Sequence, residues 1–298
     1  AYLEKYASEG NGLTESTMKG RKFMRRKVEE YLRSTGRLNI AMLEVDLDFC
    51  RGFINFLRTA KNRRLKSEER TISNCTGLQT QAVFTAALNT ALRDGIIERN
   101  PMTLLTSKER FHQQESTRVY LTIDELKRMM ATPCDDGELK KAFLFACFTG
   151  LRLSDIRTFT WNKVLTTPND STRYIRVRML KTQQVVNVPL SKDALGYLRE
   201  TEDGDEPIFR LSSAASVIEQ RLAEWAKNAG IEKHVTVHVS RHSYATMMLT
   251  IGVDIYTVSK LLGHKNVATT QIYAKIIDQK KIDAVNMMDR FFDKDRQA

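Results

Sequence analysis

Residues 237–275, VHVSRHSYATMMLTIGVDIYTVSKLLGHKNVATTQIYAK, decide how the rest of the chain is read. If Ser240 to Leu249 is helical, His238 and Arg241 sit three residues apart at its N-terminal end and point the same way. That end already attracts anions, because its first N–H groups are unpaired and the helix dipole is positive there. A histidine and an arginine added to it make a phosphate site. Further on, Asp254 caps a short helix to Leu262, Gly263 breaks it just before His264, and Thr269 or Thr270 starts the turn that presents Tyr273. His238, Arg241, His264 and Tyr273 are therefore the first candidates for chemistry.

The surrounding chain of 298 residues is long enough for two domains with substantial cores. Its 47 Lys and Arg against 36 Asp and Glu leave a net charge of +11, so the natural partner is an anionic surface. The excess is shared between the halves rather than held in a basic tail. Cys50, Cys75, Cys134 and Cys147 lie far apart, with none of the C-x-x-C or C-x-x-H spacings of zinc or redox sites. They read as reduced thiols of a cytoplasmic protein, with no metal implied. The longest apolar run, residues 142–148, is too short to cross a bilayer, and no signal peptide is legible. A start at Ala1 without methionine suggests a trimmed N-terminus.

Upstream of the opening stretch, Thr122-Ile-Asp-Glu125 is a capping box that opens a helix to about Met130. Residues 138–148 form a strongly apolar helix that Gly150 ends, which delivers Arg152, with Ser154 as the cap of the next helix. A lone arginine there is more often a structural ion pair, with Asp155 as partner. Residues 173–190 alternate as a β-hairpin with Lys181 at its tip, where a lysine is usually just a soluble turn residue. Residues 212–228 read as an amphipathic helix with Val217, Leu222 and Trp225 facing in.

Residues 1–106 read as a helical domain. Residues 15–32 carry Lys19, Arg21, Lys22, Arg25, Arg26 and Lys27 around a thin apolar stripe. A solvated face is the ordinary explanation of such a run, but its single sign points to phosphate contact. Phe49, Phe53, Phe56 and Leu57 have the spacing of a buried helix face. Residues 58–70 read as a basic loop, for which backbone contact with DNA and simple solubility are equally good accounts. The DNA-contacting set is Lys19, Lys22, Arg25 and Arg26 on the helix with Arg63, Arg64 and Lys66 in the loop. A helix over 79–94, Asn100-Pro101 and a polar linker over 107–118 lead into the second domain, 119–298.

With Arg152, Lys181, His238-x-x-Arg241, Gly263-His264 and Tyr273 in this order, the second half resembles the tyrosine recombinases, or phage integrase family. The strings TGLRLSD, HVSRHSYAT and LLGHKNVATTQIYAK look most like integrases of conjugative and mobilisable elements of the Bacteroidetes. A lone G-H or H-x-x-R is weak evidence, whereas five positions in order are hard to match by chance. The resemblance runs from Leu121 to Phe292, and the preceding helices resemble the family's core-binding domain. Ser240 stands where many members carry leucine and Asp155 where glutamate is frequent; neither departure removes a functional group.

The resemblance implies a mainly α fold: an N-terminal helical, SAM-like core-binding domain and an α-helical catalytic domain with a small antiparallel β-sheet or hairpin. It implies an enzyme without cofactor, metal or ATP that cleaves and rejoins DNA for integration and excision of a mobile element. Tyr273 would be the nucleophile that forms a 3′-phosphotyrosine, Arg152 and Arg241 would hold the phosphate, and Lys181 would protonate the leaving oxygen. His238 would take the tyrosine's proton and His264 would donate to a non-bridging oxygen, with Asp155 and His242 in support, His242 on another face of the helix. The implied partners are double-stranded DNA, further copies of the chain in a tetrameric synapse and an accessory DNA-bending protein, with no membrane. Residues 278–292, with Ile282, Val285, Met288, Phe291 and Phe292, either pack on their own domain or dock on a neighbouring protomer. Longer members carry an N-terminal domain for arm-type sites, and nothing here matches one. A type IB topoisomerase-like relaxase and a non-catalytic DNA-binding regulator are the alternative readings; a chromosome-dimer resolvase is a variant of the first.

Overall fold

The computed structural model describes residues 1–10, 12–62, 71–114, 118–169, 171–199, 203–273 and 286. It divides into two compact units, Ala1–Ser116 and Thr117–Ala298. Among the described residues no helix is long and apolar enough to cross a membrane. Arg63, Arg64, Lys66 and, apart from Asn286, the tail 278–292 lie outside the described residues.

The first unit is built from helices α1 (Tyr2–Ser8), α2 (Glu15–Ser34), α3 (Leu47–Thr59) and α4 (Asn74–Arg93). The three long helices each begin on a side chain that accepts a first-turn N–H: Thr14 from Thr17, Asp46 from Phe49 and Ser73 from Thr76. Phe49, Phe53 and Leu57 share a core with Met24, Val28, Phe84 and Leu88, and the Phe53 and Phe84 rings meet edge to face at 4.9 Å. Residues 107–112, read above as the start of a linker, are fixed into this unit instead. The Glu109 carboxylate accepts from the Thr106 N–H and hydroxyl, and Phe111 is buried against Gly77, where a Cβ would come within 2.5 Å of its ring. A single apolar anchor in polar text leaves no periodicity to read.

The second unit runs through α5 (Ile123–Ala131), α6 (Gly137–Thr149), α7 (Leu153–Arg157), β1 (Val164–Thr166), β2 (Arg173–Arg178), β3 (Val185–Pro189), α8 (Lys192–Gly196), α9 (Ala215–Asn228), α10 (Val237–Thr250) and α11 (Ile255–Leu261). The capping box at Thr122 and Glu125 opens α5, with both of its hydrogen bonds made. Helix α6 is apolar nearly all round because it is covered on two sides. Leu139, Phe143, Leu144 and Cys147 join a core with residues of α9 and α10, while Ala142, Phe145 and Ala146 join one with the sheet.

The sheet is antiparallel in the order β1-β2-β3, and β2 pairs β3 with Ile175 opposite Val188 and Val177 opposite Val186, all four buried. The hairpin is thus formed as its alternation predicts, with Lys181 in the turn. Two local expectations differ. Arg152, not Ser154, occupies the N-cap position of α7, and on α9 it is Ile218 rather than Val217 that is fully buried with Leu222 and Trp225.

Candidate active site

Helix α6 stops because Gly150 takes φ +69°, a left-handed conformation that favours glycine. The stop turns the chain so that Arg152 precedes α7. Its side chain is half-buried, and its Nη1 is buried with no hydrogen-bond partner among the described residues. Three residues on, Asp155 is 1 % exposed, and its Oδ1 accepts the backbone N–H of Leu180 at 2.9 Å. The carboxylate therefore pins the hairpin turn beside Lys181, rather than forming the ion pair with Arg152 read as the ordinary alternative from sequence. Lys181 itself is exposed.

Helix α10 supplies the other wall. Arg241 is 5 % exposed; its Nη1 donates to the Gly150 carbonyl at 2.6 Å and its Nη2 to the Leu262 carbonyl at 2.5 Å. One residue later, Nδ1 of His242 lies 2.6 Å from the Tyr273 hydroxyl. Asp254 caps α11 through the Thr257 N–H, and after α11 the chain reaches Gly263 and His264. The His264 Nδ1 is 2.8 Å from the hydroxyl of the buried Thr270, whose carbonyl also accepts the Tyr273 N–H at 3.1 Å. Tyr273 is 4 % exposed and packs with Tyr244, Leu249, Val258 and Leu262.

The charges of these groups act on one another. Burial pushes the Tyr273 phenol up to about 12, while Arg241, Arg118 and Arg152 pull it down. Burial and then the charges of Lys181, Arg241 and Arg152 lower His238. His264 is pushed down to about 4 by burial, Arg241 and Arg152, and His242 to about 4 by burial, Arg118, His238 and Arg241. Burial and the neighbouring Arg152 lower Arg241 to about 9, which leaves it charged at pH 7. Three neutral imidazoles and a neutral phenol thus sit among guanidinium groups and an ammonium. That arrangement suits an anionic group that develops charge during reaction.

The structure brings Arg152, Lys181, His238, Arg241, His264 and Tyr273 into this one cluster, with Asp155 and His242 among them. His238 makes no hydrogen bond to Tyr273 among the described residues; the imidazole on the phenol is His242. The expectation that His242 points away from the site is corrected by helix geometry, because residues four apart share a face and His242 is four from His238. That spacing was the available signal. Arg118 was missed altogether, since it stands in polar text with no pattern around it.

On α2 the basic run is less bare than its sequence. Lys19 pairs with Glu15 at 2.7 Å, Arg25 with Glu4 of α1 at 3.2 Å and Arg26 with Glu30 at 4.0 Å. Lys27 is buried, with its ammonium on Glu30 at 2.8 Å and the Lys61 carbonyl at 3.0 Å, whereas Lys22 is exposed. Acids from α1 and from both ends of α2 reach a stretch that is one-signed only along the chain.

A profile of the phage integrase family matches residues 119–280, and one of the phage integrase SAM-like domain matches residues 1–111. A tyrosine recombinase of Thermosipho africanus is 32% identical over 204 residues, which span 65% of this chain and 69% of that one. Tyrosine recombinase XerC of Neisseria meningitidis is 34% identical over 178 residues, 55% of this chain and 58% of its own length. Among solved structures, the Tn1549 transposon integrase in complex with a circular intermediate DNA superposes with a TM-score of 0.68 at 19% identity, over 91% of this chain and 93% of that one. A lambda integrase dimer bound to a core site gives 0.66 at 20% identity with the same coverage. The XerH recombinase bound to a palindromic difH substrate gives 0.71 at 14% identity, over 96% and 84%. At such identities the structural likeness speaks for the fold, and the family profile over more than half of the sequence settles kinship: this chain belongs to the phage integrase family, the tyrosine recombinases.

Proposed function

We propose that the protein is a site-specific DNA recombinase that cleaves and rejoins strands through a 3′-phosphotyrosine at Tyr273, in the integration and excision of a mobile element. The observation that carries this reading is the buried Nη1 of Arg152, without an acceptor among the described residues, beside a buried phenol and a second arginine. A buried donor left unpaired is costly, and a phosphodiester oxygen is the acceptor that it lacks.

In this reading Tyr273 attacks the scissile phosphorus, and the charge that grows on the non-bridging oxygens is met by Arg152 and Arg241. Loss of one such donor typically costs about 3 kcal/mol in the barrier, about a hundredfold or more in rate. Lys181, on a turn held by Asp155, protonates the 5′-oxygen as it leaves. With Thr270 on its Nδ1, His264 has the other ring nitrogen available for a phosphate oxygen. His238, kept neutral by burial and then by its cationic neighbours, serves the same phosphate. The phosphotyrosine conserves the bond energy, so a second 5′-hydroxyl reverses the step without ATP. The protein acts on double-stranded DNA in the cytoplasm, as a tetrameric assembly assisted by a DNA-bending protein, on an element of the Bacteroidetes kind. Relatives described as solved on DNA, one of them a transposon integrase, support this reading.

A nicked suicide duplex, which loses the short 5′ fragment after cleavage, should trap a covalent protein–DNA complex. Tyr273→Phe should trap none; an adduct formed by that variant would show that another residue is the nucleophile.

A further inference from the structure

Among the described residues the Tyr273 hydroxyl has one hydrogen-bond partner, Nδ1 of His242 at 2.6 Å, with the two rings 5.7 Å apart and tilted by 57°. The His238 ring is 6.5 Å from that of His242 and has no bond to the phenol. Both imidazoles project from α10, four residues apart, and His242 is the one that meets the 310 turn Gln271–Tyr273. The contact is enclosed: Tyr273 is 4 % exposed, so bulk water has little access to the phenolic proton.

The groups that face His242 are Arg118 from the segment ahead of α5, His238 and Arg241 from α10, His264 from the turn after α11, and Tyr273 itself. Burial, and after it Arg118, His238 and Arg241, hold His242 at about 4, so at neutral pH the ring is uncharged, the hydroxyl donates and Nδ1 accepts. Asp155 gives its Oδ1 to the Leu180 N–H, and among the described residues the phenol makes its hydrogen bond to His242 and none to this carboxylate. A bound phosphodiester adds negative charge beside Arg152 and Arg241 and offsets the cations that depress His242, which makes the acceptor more basic once DNA is in place.

We propose that His242, rather than His238, is the proton acceptor that activates Tyr273. The proposal rests on the recombinase reading above and sharpens it. In the step the Oη–H bond breaks and its proton passes to Nδ1 as the Oη–P bond forms; the P–O5′ bond breaks and the leaving oxygen takes a proton from the Lys181 ammonium. The site is left with an imidazolium at His242 and a neutral amine at Lys181, and religation returns both protons.

A nicked duplex whose bridging 5′-oxygen is replaced by sulfur isolates this half of the chemistry, because a thiolate leaves without a general acid. On it Lys181→Ala should recover most of the wild-type rate. His242→Ala should remain slower by about 100-fold or more at pH 7, with the deficit shrinking toward pH 9 as solvent takes over the deprotonation. His242→Asn, which keeps an acceptor near the Nδ1 position without its basicity, should not restore the rate; DNA affinity and thermal melting report whether each variant is folded. Wild-type rates in His242→Ala, or a pH-independent deficit that His242→Asn repairs, would overturn the assignment. Absence of any adduct with the wild-type protein on either duplex would bring down the recombinase reading and this one with it. An adduct with the wild-type protein and an undiminished one with His242→Ala overturns this assignment alone.

Discussion

Asp155 is almost fully enclosed, and the oxygen that it gives to the Leu180 N–H fixes the residue next to Lys181. A flexible ammonium on a four-carbon stem is a poor acid unless its backbone is held, so in the proposed mechanism the carboxylate on α7 acts through the hairpin. Asp155→Ala should slow cleavage of an ordinary nicked duplex by about tenfold to a hundredfold, less than the roughly 10²–10⁴-fold of a whole general acid because Lys181 itself is kept. The loss should largely vanish on the sulfur-bridged duplex. An equal loss on both would mean that Asp155 works through Arg152 instead. Residue identities and their order made the candidate set legible in the sequence, since Arg152, Lys181, His238, Arg241, His264 and Tyr273 need only be recognised by type and spacing. Their partners were not legible. The His242–Tyr273 bond joins positions 31 apart through two elements whose meeting is a tertiary event, and Asp155 reaches the hairpin across 25 residues.

Helix α6 owes its end to Gly150, and that end places both arginines: the chain turns there toward Arg152, and the Gly150 carbonyl receives Arg241. A Cβ at this position would come within 2.6 Å of the Tyr244 ring and 2.9 Å of the Leu262 side chain, on a backbone that L residues rarely adopt. Gly150→Ala should therefore cost about 1–2 kcal/mol for the left-handed conformation and about 1–3 kcal/mol for overpacking. The expected outcome is a lower midpoint in chemical denaturation together with reduced covalent trapping; an unchanged midpoint would show that the loop relaxes freely. Elements that begin or end on such local chemistry were readable in advance, as with the capping box at Thr122 and Glu125, the Asp254 cap and the Gly150 stop. Elements without it were not. Strand β1 has three residues, too few to show alternation, and its place in the sheet comes from pairing with β2. Lys27 reads as one more surface base until Glu30 and the Lys61 carbonyl enclose its ammonium.

Across the whole molecule the same histidines link the site to stability. His242 and His264 are held at about 4 and His238 is also lowered, whereas in the unfolded chain they titrate near 6.5. Between those values the unfolded state binds more protons, so stability rises with pH across the window and is lost as pH falls through it. Thermal unfolding should occur at a lower temperature at pH 5 than at pH 7.5, and the gap should narrow in the His242→Gln, His264→Gln double variant. A gap of unchanged size would place the acid sensitivity elsewhere.

Arg241 bonds the carbonyls that follow α6 and α11 from inside the second unit, while the Nη1 of Arg152 bonds nothing among the described residues. In the proposed recombinase, loss of either arginine should therefore differ in heredity. A chain altered at Arg241 should lose a clamp between two helix ends and be cleared as a folding failure, a recessive defect beside an intact copy. A chain altered at Arg152 should keep its fold, occupy DNA and enter assemblies that it cannot complete, a dominant defect; recombination measured on co-expression of each variant with the wild type distinguishes the two.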